Sequence, residues 1–332
     1  MDNRAQFSMP FTTLFAILVG AILLLFFIGF AYKYISFSGA LTSAETVQAL
    51  NDEFAAFAVS DAAEKTMDFQ QDFDFQYRGG SIYSGGQSQS VDQVLFAPAE
   101  IQGDVLFLAT RAVELPYRVA NAFYLVDGRT MYLFISDEAS KSAVDSIVSS
   151  YTAFPQTFPH ASYTLEQITD SLALLEETTA MYDSVRFLFF ADPSNTLLAD
   201  IEETFSNAEV LYVESTVEDY TYGDVTFPNG KKAFYLGYPL LLGAMISADA
   251  SGYEQSIDTV LERLAVVTGV YYDKARFISA RLPACDYGAI KGYLSSYRSF
   301  VNKEATYSQF QGYVERVDET NKDLGGDCPV LF

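Results

Sequence analysis

The first strong pattern along the chain is an uncharged apolar run from Phe11 to Tyr32, with Leu14, Ile17, Leu18 and Val19 leading into an almost unbroken stretch from Ile22 to Phe30. At about 1.5 Å rise per residue this run extends roughly 33 Å, enough to cross a hydrocarbon core of about 30 Å. It exceeds the roughly 7–15 apolar residues of a cleaved secretory signal. A retained transmembrane helix over 11–32 is therefore expected, behind a short tail or leader over 1–10. The period then changes. Thr42 and Glu45 have the spacing of a capping box, and Val47, Leu50, Phe54 and Phe57 follow at helical intervals. An amphipathic stem helix over 42–60 is expected, its apolar stripe packed on its own domain.

The remainder, 68–332, reads as an α/β domain with a mixed sheet. Phe73, Phe75 and Tyr77 alternate with Asp72, Asp74 and Gln76, the period of a half-buried strand. The Gly-, Ser- and Gln-rich stretch Arg78 to Ser90 reads as a mobile loop. Tyr132–Asp137 and Phe187–Asp192 are each an apolar strand ending in Asp, followed by a helical pattern with a further Asp at 145 and 200. The second continues through a helix near Ser194–Phe205 into a strand at Glu209–Glu214, a βαβ unit. Asn229-Gly230 between two apolar runs signals a hairpin. Ser256–Val267 reads as a helix and Ala275–Leu282 as a strand. Two stripes then predict an αα-hairpin: Tyr287, Ile290, Leu294, Tyr297 and Val301, then Phe310, Tyr313, Val314 and Val317.

Composition adds what pattern cannot. The chain carries 43 acidic against 20 basic residues, a formal charge of −23, scattered without a terminal tail. Nucleic acid is excluded as a partner class, because phosphate backbones are bound through Lys and Arg. The charges flanking the apolar run, Asp2 and Arg4 before it and Lys33 after it, barely bias orientation. A short polar tail before the span and a large domain after it place that domain outside the cytoplasm. The two cysteines, Cys285 and Cys328, flank the helical pair, whose antiparallel course returns its ends to one place. A disulfide is expected; it would close a loop of about 44 residues and stabilise by roughly 4 kcal/mol in the chain-entropy model. Such a bond persists in an oxidising compartment.

Arg4-Ala5-Gln6-Phe7-Ser8-Met9-Pro10, followed by the apolar run, resembles the class III signal of archaeal type IV pilin-like proteins. The resemblance covers about the first 30 residues. It implies cleavage by a prepilin peptidase between Ala5 and Gln6, and a subunit that polymerises through its apolar helix. Pro10 stands where the fifth mature residue of pilins is often acidic, and Ser36–Gly39 interrupts what would be a long continuous helix.

Candidate chemistry is sparse. His160 is the single histidine, set in a turn-like Phe-Pro-His-Ala context and read as a solvated loop residue. Neither an imidazole zinc cluster nor a Gly-x-Ser-x-Gly elbow can be assembled from it, and no phosphate-binding glycine motif occurs. No cofactor or metal is implied. Asp137 and Asp192 are the candidate ligand residues, because carboxylates at the carboxyl ends of strands face the crevice where α/β sheets bind ligands such as magnesium or a sugar hydroxyl. Helix N-capping is the competing role. Three functions follow: a membrane-anchored binding or scaffold module for an envelope protein or surface component; a pilin-like filament subunit; and a glycan-acting enzyme with Asp137 and Asp192 as paired acids. The anchor or stem would serve any homo-oligomer.

Overall fold

The computed structural model describes residues 47–84, 87–150, 153–301, 307–325 and 328–332, with Val19, Ile22–Leu25, Phe27 and Ile28 ahead of them. Most of the expected transmembrane helix, the Ala5–Gln6 junction and the Thr42–Glu45 capping box lie outside the described residues. Among the described residues no helix is long and apolar enough to cross a membrane. Val19, Ile22–Leu25, Phe27 and Ile28 are helical and expose 36–69% of their surface.

Within the span expected for the stem, residues 47–57 form helix α1. Val47, Leu50 and Phe54 are buried against a sheet, and the Phe54 ring meets Phe123 edge-on at 5.1 Å. That sheet comprises β1 (Ala62–Arg78), β2 (Ser81–Ser84), β3 (Gln87–Ser90), β4 (Val94–Phe96), β5 (Glu100–Glu114) and β6 (Arg118–Asp127), in the order β3-β2-β1-β5-β6-β4. Only β4 runs parallel to its neighbour, β6. The stretch read as a mobile loop is thus mostly strand. Gly79 and Gly80, at φ 62° and 67°, form a two-residue turn between Arg78 and Ser81, which pair across it. Positive φ at both turn positions matches the twist of a hairpin, so the glycines direct pairing where they were read as breaking it. β1 also begins at Ala62, ahead of the expected domain start at 68.

A second six-stranded sheet follows in the chain: β7 (Thr130–Ser136), α2 (Lys141–Ser149), β8 (His160–Thr164), α3 (Leu165–Thr179), β9 (Ser184–Phe189), α4 (Asn195–Thr204), β10 (Ala208–Glu214), β11 (Tyr222–Thr226) and β12 (Lys232–Leu236). Its order is β12-β11-β10-β9-β7-β8. The four strands β8, β7, β9 and β10 are parallel, and the β11–β12 hairpin completes a mixed sheet. The Asn229-Gly230 turn closes that hairpin with Gly230 at φ 76°. Val144 and Ile147 of α2 face the layer between the sheets, whereas α3 and α4 cover the outer face through Ile168, Leu175, Leu197 and Ile201. The parallel strands are therefore wound on both faces, and the winding reverses between β7 and β9.

Helix α5 (Tyr238–Ile246) fills the central layer. Every residue from Leu240 to Ile246 is buried, as expected of a helix apolar on all sides. The span read as a helix followed by a strand is one 32-residue helix, α6 (Ala250–Arg281), capped by Asp249 through the Gly252 amide. The strand at Ala275–Leu282 does not form. Ile257, Val260, Leu264, Thr268, Tyr271, Ala275 and Ile278 keep one helical stripe through the polar position at Thr268 and past Gly269, where Arg298 lies 3.3 Å from the place a Cβ would take. The helical pair is present as α7 (Gly288–Val301) and α8 (Tyr307–Asp323), and Cys285 and Cys328 are disulfide-bonded with their Cα atoms 5.6 Å apart.

Candidate functional site

In a doubly wound sheet the crevice opens where the winding reverses, outside the carboxyl ends of the two strands concerned. Here those strands are β7 and β9, and the residues just past them are Asp137 and Asp192. Both sequence candidates thus sit at the place the topology favours. What surrounds them differs.

Asp137 belongs to a compact polar turn. Its Oδ1 accepts from the Ser140 amide at 2.8 Å and from the Ser140 hydroxyl at 2.7 Å. The Ser140 Oγ in turn accepts from the Asp137 amide at 3.0 Å. These donors hold the Asp137 carboxyl below the usual aspartate range, burial acting weakly against them. Ser140 stands at the N-cap position of α2 but makes no side-chain cap bond, since its hydroxyl is turned back to Asp137. Asp137 therefore stabilises the turn that starts α2 and is not itself the N-cap.

Tyr220 reaches the same crevice from the loop after β10, with φ at 53°. Its hydroxyl donates to the Phe190 carbonyl at 3.0 Å and its ring packs edge-on against Phe190 at 5.2 Å. Burial first, then the charge of Asp137, raises the Tyr220 pKa, while a hydrogen bond from Ser140 lowers it. Tyr220, Ser140 and Asp137 accordingly form one group. Asp137 and Ser140 have the spacing of an Asx turn, which the sequence displays; nothing local marks Tyr220, which arrives from more than 80 positions later.

Asp192 is exposed. Ser194 caps α4, accepting from the Leu197 amide at 3.2 Å, so Asp192 does not have the capping role either. Its charge acts on Tyr212, whose pKa is raised first by burial, then by Asp192 and Glu202. Tyr212 packs with the outer layer under α3 and α4, whereas Tyr220 packs with the central layer. The two carboxylates share an end of the sheet and have different neighbours. A general acid needs a raised pKa, and paired acids raise one another; Asp137 is shifted the other way.

His160 opens strand β8 and is half-buried, not a solvated loop residue. Its Nδ1 lies 2.7 Å from the Phe158 carbonyl and its ring meets Phe154 at 5.1 Å. Among the described residues no group of three or more His, Cys, Asp or Glu is placed to hold a metal ion. A cavity of about 330 Å³ lies where the two sheets meet, between Asp61, Arg111, Glu114, Leu236 and Pro239, and another of about 190 Å³ at the amino ends of β9 and β10. Neither includes Asp137 or Asp192. No protein-family model matches the chain, and no curated protein matches it.

Proposed function

We propose that this chain is a membrane-tethered binding or scaffold module, its α/β domain held outside the cytoplasm to engage an envelope protein or surface component. The observation that carries the reading is the closed Cys285–Cys328 bond, because a disulfide of this kind belongs to an oxidising compartment. The exposed apolar helical residues Val19, Ile22–Leu25, Phe27 and Ile28 support the tether. So does α1, which spends its own apolar stripe on the first sheet and leads the chain into the domain along a packed path.

Asp137, Ser140 and Tyr220 supply a hydrogen-bonding surface, with an ionised carboxylate suited to accepting from hydroxyl or cationic groups. A glycan-cleaving role for Asp137 and Asp192 loses support, since the Ser140 donors hold the Asp137 carboxyl below the usual aspartate range, the opposite of what a general acid needs. The test is fractionation of the full chain beside a form lacking residues 1–32. The full chain should stay with the membrane after alkaline extraction, and the shortened form should be recovered in the soluble fraction. Release of the full chain by alkali would overturn the reading.

A further inference from the structure

Helix α6 carries two apolar faces. One is the stripe from Ile257 to Ile278 that packs into the core. The other lies in water: Val266, Val270 and Phe277 are 67%, 63% and 55% exposed, at spacings that keep them on one side of the helix. A helix on the surface of its own domain normally turns charged and polar residues outward. The Arg281 guanidinium lies over the Phe277 ring, 3.8 Å from its centre, so a base shares this second side.

The charges of α6 are sorted along its length. Before Val266 stand Glu254, Asp258 and Glu262 against Arg263; after Val270 stand Lys274, Arg276 and Arg281 against Asp273. The first half is acidic and the second basic, in a chain whose formal charge is −23. Glu254, Asp258, Glu262, Arg276 and Arg281 are all exposed. Arg276 comes only to 4.0 Å from Asp273, with both side chains in water, a pairing that holds little energy. Two such helices packed parallel would set like charge on like. Packed antiparallel, each acidic half meets a basic half, and the helix dipoles oppose as well. The face is thus complementary to its own copy under a two-fold axis, the symmetry of an isologous dimer. Elsewhere copies of so acidic a chain repel one another.

We propose that the Val266, Val270 and Phe277 face of α6 is a homodimer interface, in which the helices of two copies pack antiparallel about a two-fold axis at the level of Thr268. In that register Val266 of each copy faces Val270 of the other. Arg276 falls between Asp258 and Glu262 of the second copy, about 3 Å along the helix axis from each. Phe277 comes over the turn at Thr259 of the second copy. The interface is separate from α1, whose own apolar stripe is spent on the first sheet.

The experiment uses the full chain in detergent, carrying Val270→Cys and treated with a short bismaleimide, with the yield of covalent dimer read on a denaturing gel. The native cysteines are bonded to each other and do not react. The two copies of position 270 lie about 6 Å apart along the axis, so this variant should cross-link. Leu174→Cys, on α3 and 61% exposed, should stay monomeric. In the Val270→Cys chain, Arg276→Glu with Arg281→Glu makes both halves of α6 acidic and should lower the dimer yield at least about tenfold. Adding Asp258→Arg with Glu262→Arg inverts the charge pattern and should restore the yield, with circular dichroism unchanged throughout. No more dimer from Val270→Cys than from Leu174→Cys would overturn the interface. An unchanged yield after Arg276→Glu with Arg281→Glu, or a folded inverted chain that does not recover, would overturn the antiparallel pairing.

Discussion

Arg111 of β5 and Glu64 of β1 form an ion pair in the layer between the two sheets, with Nη2 and Oε1 2.5 Å apart and the side chains 2% and 6% exposed. The second carboxylate oxygen accepts from the Thr157 amide at 3.2 Å and hydroxyl at 3.3 Å, so the pair also anchors the α2–β8 connection. Removing one partner leaves a buried charge uncompensated, which costs about 3–5 kcal/mol, while replacing both with apolar residues of similar volume is often neutral. Arg111→Ala and Glu64→Ala should each lower stability by that amount in denaturant titrations of the detergent-solubilised chain. Arg111→Met combined with Glu64→Leu should recover most of it.

The pair also shows where sequence reading stops. Arg111 and Glu64 stand 47 positions apart, and nothing near either marks the other. Arg186 is a similar case: it is 3% exposed, paired with Glu209 and bonded to the carbonyls of Met245 and Ser247 at the carboxyl end of α5. Local periodicity is enough for the β9–α4–β10 unit, the Asn229-Gly230 hairpin and the two helices α7 and α8, because each is specified within a few turns of chain, and the disulfide follows from the antiparallel course of those helices. Periodicity fails where one signal supports two structures. Gly79-Gly80 reads as a break or as a tight hairpin, and only the pairing of β1 with β2 decides. Ala275–Leu282 reads as a strand until its register with Ile257–Leu264 is followed through Thr268. At the candidate site Asp137 was legible from its position at a strand end, and Tyr220 was not, since only the folded β10–β11 loop brings it there.

The end of the stem is capped from across the sheet. Asn121 Nδ2 donates to the carbonyls of Phe57, Ala58 and Ser60 at 3.1, 3.0 and 2.7 Å. Asn121→Ala leaves these acceptors short of a donor and should cost about 1–3 kcal/mol. Phe54→Ala should cost about 3–5 kcal/mol through the cavity it opens against Phe123. Limited proteolysis should then cut first around residues 58–60 in either variant. Unchanged cleavage would place the stripe of α1 on another partner.

Asp137 carries a pH signature. Its folded pKa is lowered by Ser140, so its contribution to stability is present above the ordinary aspartate value and is lost as pH falls through the lowered one. The affected window lies at roughly pH 4 and below. Ser140→Ala removes the hydroxyl donor and should move the Asp137 carboxyl up toward the ordinary value in a carbon-13 titration. The variant should also lose less stability on acidification than the wild type. An unmoved titration would mean that the Ser140 hydroxyl does not hold the carboxylate.

Packing of α5 is tight enough to test with one methyl group. A Cβ on Gly243 would fall 2.7 Å from two atoms of the Phe96 ring, on the strand β4 that α5 faces. Gly243→Ala forces ring or helix to move, at a cost of about 1–3 kcal/mol from overpacking, which outweighs the gain in helix propensity of about 1 kcal/mol. Combining it with Phe96→Leu should relieve part of the loss in thermal unfolding.

The amino terminus separates the tethered module from a pilin-like subunit. Sequencing of membrane-extracted protein should find Met1 or Asp2 first. A chain starting at Gln6 would instead favour processing after Ala5 and assembly through the apolar helix.

The placement of the domain outside the cytoplasm is tested most directly by the state of its two cysteines in the native membrane. Thiols are trapped with a permeant alkylating agent at the moment of lysis, the protein is denatured, and its mass is taken with and without prior reduction. The Cys285–Cys328 bond predicts no adduct before reduction and two adducts after it. Two adducts without reduction would contradict the account, because they would place both thiols free in a reducing compartment.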